Sequence, residues 1–409
     1  MGYSEAGRPQ WSTTTVGKRN IVLAAILLSL FCIFFTFRNQ SPPSGTASPS
    51  GLSTSKFSLG GKKDNLGDVY NDTLGFQKVY AINLPERTDK KDNMRLQARA
   101  TNFSIEIVDG VIGSKVSYKA IPYTFKQNNG TIGCWRAHLN VLQKMIEENI
   151  QSALILEDDA DWDIGLKAQM AELARGSRWL LETAPEGTSN NHIPHSPYGD
   201  GWDMLWVGHC HSEPVKGDNR RWVIPHDPTV APEGSRWYFK GPKMDKWEKG
   251  PDADPQTRVV YQQGFGWCLS GYAVSLRAAQ RILWYASMMP FNWPIDSGMG
   301  NLCSQREFHD FQCIAPFPRF VGKSTPAGSN ALGSDINTKP KEEKIQEKSE
   351  SENVMFSVRQ NMRRILDGAT TFKSYFKNPA GDDLTLEQIS AARGHPEYVD
   401  EEVKKETKE

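Results

Sequence analysis

Residues Ala153–Asp163 read ALILEDDADWD, an apolar run that ends in Glu157, Asp158, Asp159 and Asp161. Ala153–Leu156 has the length and character of a strand buried on both faces. The four acids then gather at its carboxyl end, the place where open α/β sheets hold their ligands. Carboxylates packed that closely repel one another unless a cation neutralises them, and hard oxygen donors suit Mg²⁺ or Mn²⁺. A divalent ion held there could grip a diphosphate. Taken alone, a strand running into a solvated acidic loop has the same sequence, so the surrounding elements decide.

Those elements read as alternating strands and helices. Lys78–Leu84 (KVYAINL) predicts a first buried strand, Asp92–Ala100 a helix, Ser104–Val108 a short second strand, and Gly133–Asn149 a helix with Leu139, Leu142, Met145 and Ile146 on its apolar face. The alternation predicts an α/β fold with a mostly parallel sheet and flanking helices. Trp202–Gly208 reads as another strand, 211–260 as a long loop or insertion, and Trp267–Tyr285 as a strand followed by a helix.

Four further groups surround the acids. Asn83 and Arg87 stand where the first strand runs out, placed to hold a base, a ribose or, through the guanidinium, a phosphate. Asp109 at the second strand's end is a short acceptor for a ribose hydroxyl. Thr131–His138 reads as a glycine-led helix start whose free N–H groups, with Arg136 and His138, could receive an anion. Asp296, after Trp293-Pro294-Ile295, could act as general base towards an acceptor hydroxyl. Each of these has an ordinary structural reading as a cap, a turn or a core histidine.

The ends of the chain bound the compartment. Ile21–Phe37 (IVLAAILLSLFCIFFTF) is an uncharged apolar segment after Lys18-Arg19, near the lower length for a spanning helix and long for a cleaved signal core. We read it as an uncleaved anchor with a short cytoplasmic tail at 1–20, followed by a Ser/Pro/Gly-rich stem over 38–75. The catalytic domain is expected over 76–337, and the Lys/Glu-rich 338–409 as a charged, mostly mobile appendage that includes a basic helix within Met355–Phe376. Sequons at Asn71, Asn102 and Asn129 fit a lumenal body. The five cysteines beyond the span allow at most two disulfides and leave one thiol over, with Cys303–Cys313 the easiest pair. Lys+Arg and Asp+Glu number 48 each, so nothing in the charge points to nucleic acid.

The order INLPERTDK, VDG, TIGCWRAH, LILEDD, WDMLWVG and PID resembles glycosyltransferase family 25, over about 76–337 with 211–260 unmatched. Ala137 stands where the family usually has serine and Lys90 where it usually has arginine, while Ser334-Asp335-Ile336 resembles its closing element. The resemblance implies a GT-A fold, a UDP-sugar donor with galactose as sugar, and inversion at the anomeric carbon. It implies Mn²⁺ (or Mg²⁺) on Glu157 and Asp159, with Asp158 supporting and Asp159/Asp161 as an alternative frame. Asn83, Arg87, Asp109, Arg136, His138 and Asp158 would hold the donor, Asp296 would be the base, and Trp293 with the tryptophans of 202–237 could stack on sugars. A glycan or protein acceptor and a single-pass type II place in the Golgi or endoplasmic reticulum membrane follow as expectations. The alternative is a non-catalytic domain of this kind that binds a glycan or a partner.

Overall fold

The computed structural model describes residues 64–183, 193–330, 333–336 and 343–399, all within one compact unit spanning Lys62–Glu409. The anchor read at 21–37 lies outside these residues; among the described residues no helix is long and apolar enough to cross a membrane.

The site-bearing half is built from β1 (Lys78–Asn83), α1 (Thr88–Ala100), β2 (Glu106–Asp109), α2 (Asn129–Glu147), β3 (Ser152–Glu157), β4 (Ala160–Trp162) and α3 (Leu166–Glu182). The other half holds β5 (Met204–Leu205), β6 (His211–Pro214), β7 (Arg220–Ile224), β8 (Arg258–Trp267), β9 (Gly271–Ser275), α4 (Leu276–Ser287), α5 (Ile295–Cys303), β10 (Cys313–Phe317) and β11 (Val321–Thr325). The main sheet runs in the order His395–Tyr398, β7, β8, β10, β5, β9, β3, β1, β2, with β6 paired to β8.

Side chains alternate across this sheet, so the apolar runs feed two cores. Tyr80, Ile82, Ala153 and Ile155 pack on one face under α2 and α4, while Val79, Ala81, Leu154 and Leu156 pack on the other under α1 and α3. That double burial is why β1 and β3 read as continuous apolar segments. The predicted parallel character holds for β3–β1–β2 and for β5–β10. Around them β9, β8, β7 and the C-terminal strand pair antiparallel, so the sheet is mixed.

Three sequence expectations are corrected. Residues 64–75 are not stem: Val69 and Leu74 are fully buried and Asp64 pairs with Arg178 at 2.8 Å. The segment 211–260 contributes β6 and β7 to sheet pairing instead of standing off as a loop. The described part of 338–409 is packed into the domain: Glu350–Ser351 pairs with β11, His395–Tyr398 closes the sheet edge on β7, and Val354, Met355, Phe356 and Val358 are buried. Its one helix within 355–376 is the short Met362–Leu366.

Candidate functional site

Register alone brings the first group together. Asn83 lies beside Asp109, and Ile82 beside Glu157, so the carboxyl ends of β2, β1 and β3 form one rim. The chain then turns through Asp158 and Asp159 into β4.

The three acids of the turn have different surroundings. Asp158 is buried in an ion pair: Lys90 Nζ donates to its Oδ1 at 2.9 Å, and Asn83 Nδ2 to its Oδ2 at 2.9 Å. Burial pushes its carboxyl up against the pull of Lys90. Lys90 also donates to Asp335 at 2.8 Å; burial opposes its charge, but Asp159 and Asp158 more than offset this and hold the ammonium above the usual lysine range. Asp159 Oδ2 lies 4.0 Å from Lys90 and 3.8 Å from Lys323, while its Oδ1 is buried with no hydrogen-bond partner. Burial and then the adjacent Glu157 carboxylate push the Asp159 carboxyl up, countered by Lys323, Lys90 and Arg359. Glu157 keeps a side chain 30% exposed.

Asp161 is committed elsewhere. It is fully buried and accepts from Ser351 Oγ at 2.6 Å, from Ser357 Oγ and from the Trp162 N–H. It ties the C-terminal segment to β4, which removes the Asp159/Asp161 frame as a ligand pair. Asp161→Asn weakens a charge-assisted contact in a dry site, so a loss of about 1–3 kcal/mol is expected in urea unfolding, with nucleotide binding unchanged. Loss of nucleotide binding without loss of stability would reverse that assignment.

The donor-side predictions divide. Asn83 is buried, orients Asp158, and leaves its own Oδ1 without a partner. Arg87 is already engaged: Nε and Nη2 meet Asp89 at 3.0 and 2.9 Å, and Nη1 meets Asp335 at 2.7 and 2.6 Å. Asp109 stays exposed on the rim. Arg136 departs from its predicted role, because its guanidinium runs along its own helix to Asn140 at 2.7 Å and Gln143 at 3.3 Å and stacks over Trp135. The helix also starts earlier than predicted. Asn128 caps it through the Thr131 N–H at 2.9 Å, so Gly133 sits a turn inside and offers no free N–H. The glycine serves packing instead, since a Cβ there would lie 2.3 Å from Val111 O.

His138 faces the site from α2. It is 2% exposed, its Nδ1 lies 2.9 Å from Tyr272 Oη, and its Nε2 lies 3.6 Å from Glu157 Oε1. Asp296 opens α5, where its Oδ2 accepts from Cys268 N–H at 3.0 Å and its Oδ1 from Ser297 N–H at 2.7 Å. Burial, then the Glu157 carboxylate and the Asp296 carboxylate, push the Cys134 thiol up, so both acids act on that sulfur. The Cys210–Cys268 disulfide ties β6 to this corner, and Cys303–Cys313 pairs as predicted. Trp202 and Trp206 belong to the core, whereas Trp237 and Trp293 are exposed.

The residues missed by sequence reading are the cations. Lys90 on α1, Lys323 on β11, and Arg319 and Arg359 on irregular segments act on Asp159, and Arg359 Nη2 donates to the carbonyls of Asp158 and Ala160. Lys90 carried a signal, as the departure from arginine beside Asp89; Arg359 sits in a charged stretch with none. For a hard divalent ion, Glu157 and Asp159 fit: two carboxylates, one at the open edge and one with an orphaned oxygen. Asp158 does not, because Lys90 and Asn83 occupy it.

Residues 76–183 match the family described as Glycosyltransferase family 25 (LPS biosynthesis protein). Procollagen galactosyltransferase 2 of Mus musculus is 25% identical over 291 residues, covering 66% of this chain and 38% of that protein. Procollagen galactosyltransferase 1 of Danio rerio is 20% identical over 226 residues, covering 52% of this chain and 29% of its own length. A human protein named Inactive glycosyltransferase 25 family member 3 is 23% identical over 157 residues, covering 35% of this chain and 23% of its own. The chain thus spans less than two-fifths of the length of each of these relatives.

Proposed function

We propose, from the premise that residues 76–183 are a glycosyltransferase family 25 region, that this protein transfers a hexose from a UDP-sugar to a hydroxyl group with inversion. The observation that carries the reading is the pairing of Glu157 with Asp159, whose Oδ1 is buried and unpartnered, at the ends of parallel strands. The α/β/α layering supports the GT-A reading, and the names of the relatives support galactose as the sugar. The acceptor is a glycan or protein in the secretory pathway, reached through the anchor read at 21–37.

In this reading Glu157 and Asp159 hold Mn²⁺ or Mg²⁺, which when bound neutralises charge developing on the leaving diphosphate. Lys90 and Asn83 fix Asp158 and so the turn that carries both ligands. Asp109 at the rim is placed for a ribose hydroxyl. Arg87 reaches a phosphate by giving up Asp335, one oxyanion exchanged for another that a guanidinium binds through paired N–H groups. His138 stands beside Glu157, its Nε2 3.6 Å from Oε1. Asp296 takes the acceptor proton, its two backbone hydrogen bonds aiming the carboxylate and leaving lone pairs for the hydroxyl. Trp293, exposed beside it, offers a face for the acceptor sugar.

Incubating the full chain with UDP-galactose and Mn²⁺ is expected to release UDP, slowly with water and faster with acceptor. No release from any UDP-hexose, with or without metal, would favour the non-catalytic alternative, which the human relative named inactive makes concrete.

A further inference from the structure

We propose that Cys134, His138 and Glu157 form a second kind of cation site, one that selects a borderline or thiophilic divalent ion such as Zn²⁺ over Mn²⁺ or Mg²⁺. Among the described residues these three place a sulfur, a nitrogen and a carboxylate oxygen within 4.8 Å of one another. Cys134 and His138 are four residues apart on α2, the spacing that puts two ligands on one helix face. Glu157 comes to them from the end of β3.

The separations suit a tetrahedral ion. With metal–ligand bonds of about 2.0–2.3 Å, ligand atoms at the corners stand about 3.3–3.7 Å apart. The His138 Nε2 to Glu157 Oε1 distance is 3.6 Å, and with all three atoms within 4.8 Å of one another no pair needs a closure of more than about 1 Å. The histidine is set for the purpose. Tyr272 Oη, 2.9 Å from Nδ1, accepts from Nδ1–H in the tautomer that leaves the Nε2 lone pair facing Glu157. Such an outer partner fixes both tautomer and ring orientation.

The thiol is available for this role. Four of the described cysteines are tied up as Cys210–Cys268 and Cys303–Cys313, and Cys134 is the free one. On binding, the Cys134 S–H bond breaks, its proton goes to solvent and the thiolate sulfur donates to the metal. Three protein ligands with Glu157 at the open edge leave a fourth position for water or a ligand group, as in sites that do chemistry. This site requires only the three side chains and does not rest on the transferase reading. Because it draws on Glu157, an ion there takes that carboxylate from the pair with Asp159.

The test uses reduced, chelator-stripped full chain titrated with Co²⁺ as a spectroscopic stand-in for zinc. The wild type is expected to develop thiolate-to-cobalt charge-transfer absorption, displaced by one equivalent of Zn²⁺. Cys134→Ser should lose the band while keeping its melting temperature. Tyr272→Phe should keep the band and bind Co²⁺ about 10–100-fold more weakly. As a measurement free of variants, Zn²⁺ should slow alkylation of Cys134, located by peptide mass. Absence of the band in the wild type, its persistence in Cys134→Ser, unchanged affinity in Tyr272→Phe, or unaltered alkylation would each overturn the site.

Discussion

Asp296→Asn is expected to lower sugar transfer by about 10²–10⁴-fold, the range contributed by a positioned general base. The nucleotide-sugar KM should stay within about twofold, because the substitution leaves the residues at the β1–β3 strand ends untouched. The substitution is chosen to keep the local structure. Asn retains one oxygen for the Ser297 or Cys268 N–H, so the first turn of α5 keeps one of these two contacts and the protein should unfold within about 1 kcal/mol of wild type. It removes only the capacity to carry the acceptor's proton. Transfer within tenfold of wild type would mean that Asp296 serves only the local structure at the start of α5.

The second large effect concerns folding. Lys90→Met is expected to destabilise the domain by about 3–5 kcal/mol, the usual consequence of leaving a buried charge without its partner. Lys90 touches both Asp158 and Asp335 and stands 4.0 Å from Asp159, so its loss leaves a carboxylate in a site where burial already raises its proton affinity. Methionine fills the same volume, so the loss would not come from a cavity. The double variant Lys90→Met with Asp158→Asn should regain much of the stability, since it removes the stranded charge as well. A loss under about 1 kcal/mol in Lys90→Met would show that the pair is solvated in practice. Lys90→Arg should stay folded, and comparison of its nucleotide affinity with wild type separates position from charge.

Much of the site was legible because it lies on strands buried on both faces. KVYAIN and SALILE are apolar through their interiors, and their ends fix where Asn83, Asp109 and Glu157 must lie. The residues that failed did so for identifiable reasons. Arg136 was read onto a helix start, but Asn128 caps the helix five residues before Gly133 and rotates Arg136 into a chain of contacts along the helix. The glycine there answers to the close approach of Val111, a long-range constraint that local spacing does not encode. Asp161 looked like a ligand because it belongs to an acidic run. Its true partners, Ser351 and Ser357, lie nearly two hundred residues away in a stretch whose Lys/Glu average hides the apolar group 354–358. The basic side chains around Asp159 come from α1, β11 and two irregular segments and are brought together only by folding.

The same geometry limits what the acids can be. Glu157 is the open carboxylate, Asp159 the one with an unsatisfied oxygen, Asp158 a buried anchor and Asp161 a structural tie. A divalent ion on the first two would satisfy Asp159 Oδ1 and relieve its repulsion with Glu157. Calorimetric titration of UDP into wild type and Asp159→Ala, each with and without Mn²⁺, tests this most directly. Mn²⁺ is expected to strengthen UDP binding to wild type by at least about tenfold, roughly 1.4 kcal/mol, and Asp159→Ala to remain folded but lose this gain. Equal UDP affinity with and without Mn²⁺ in wild type, or an undiminished gain in Asp159→Ala, would contradict it.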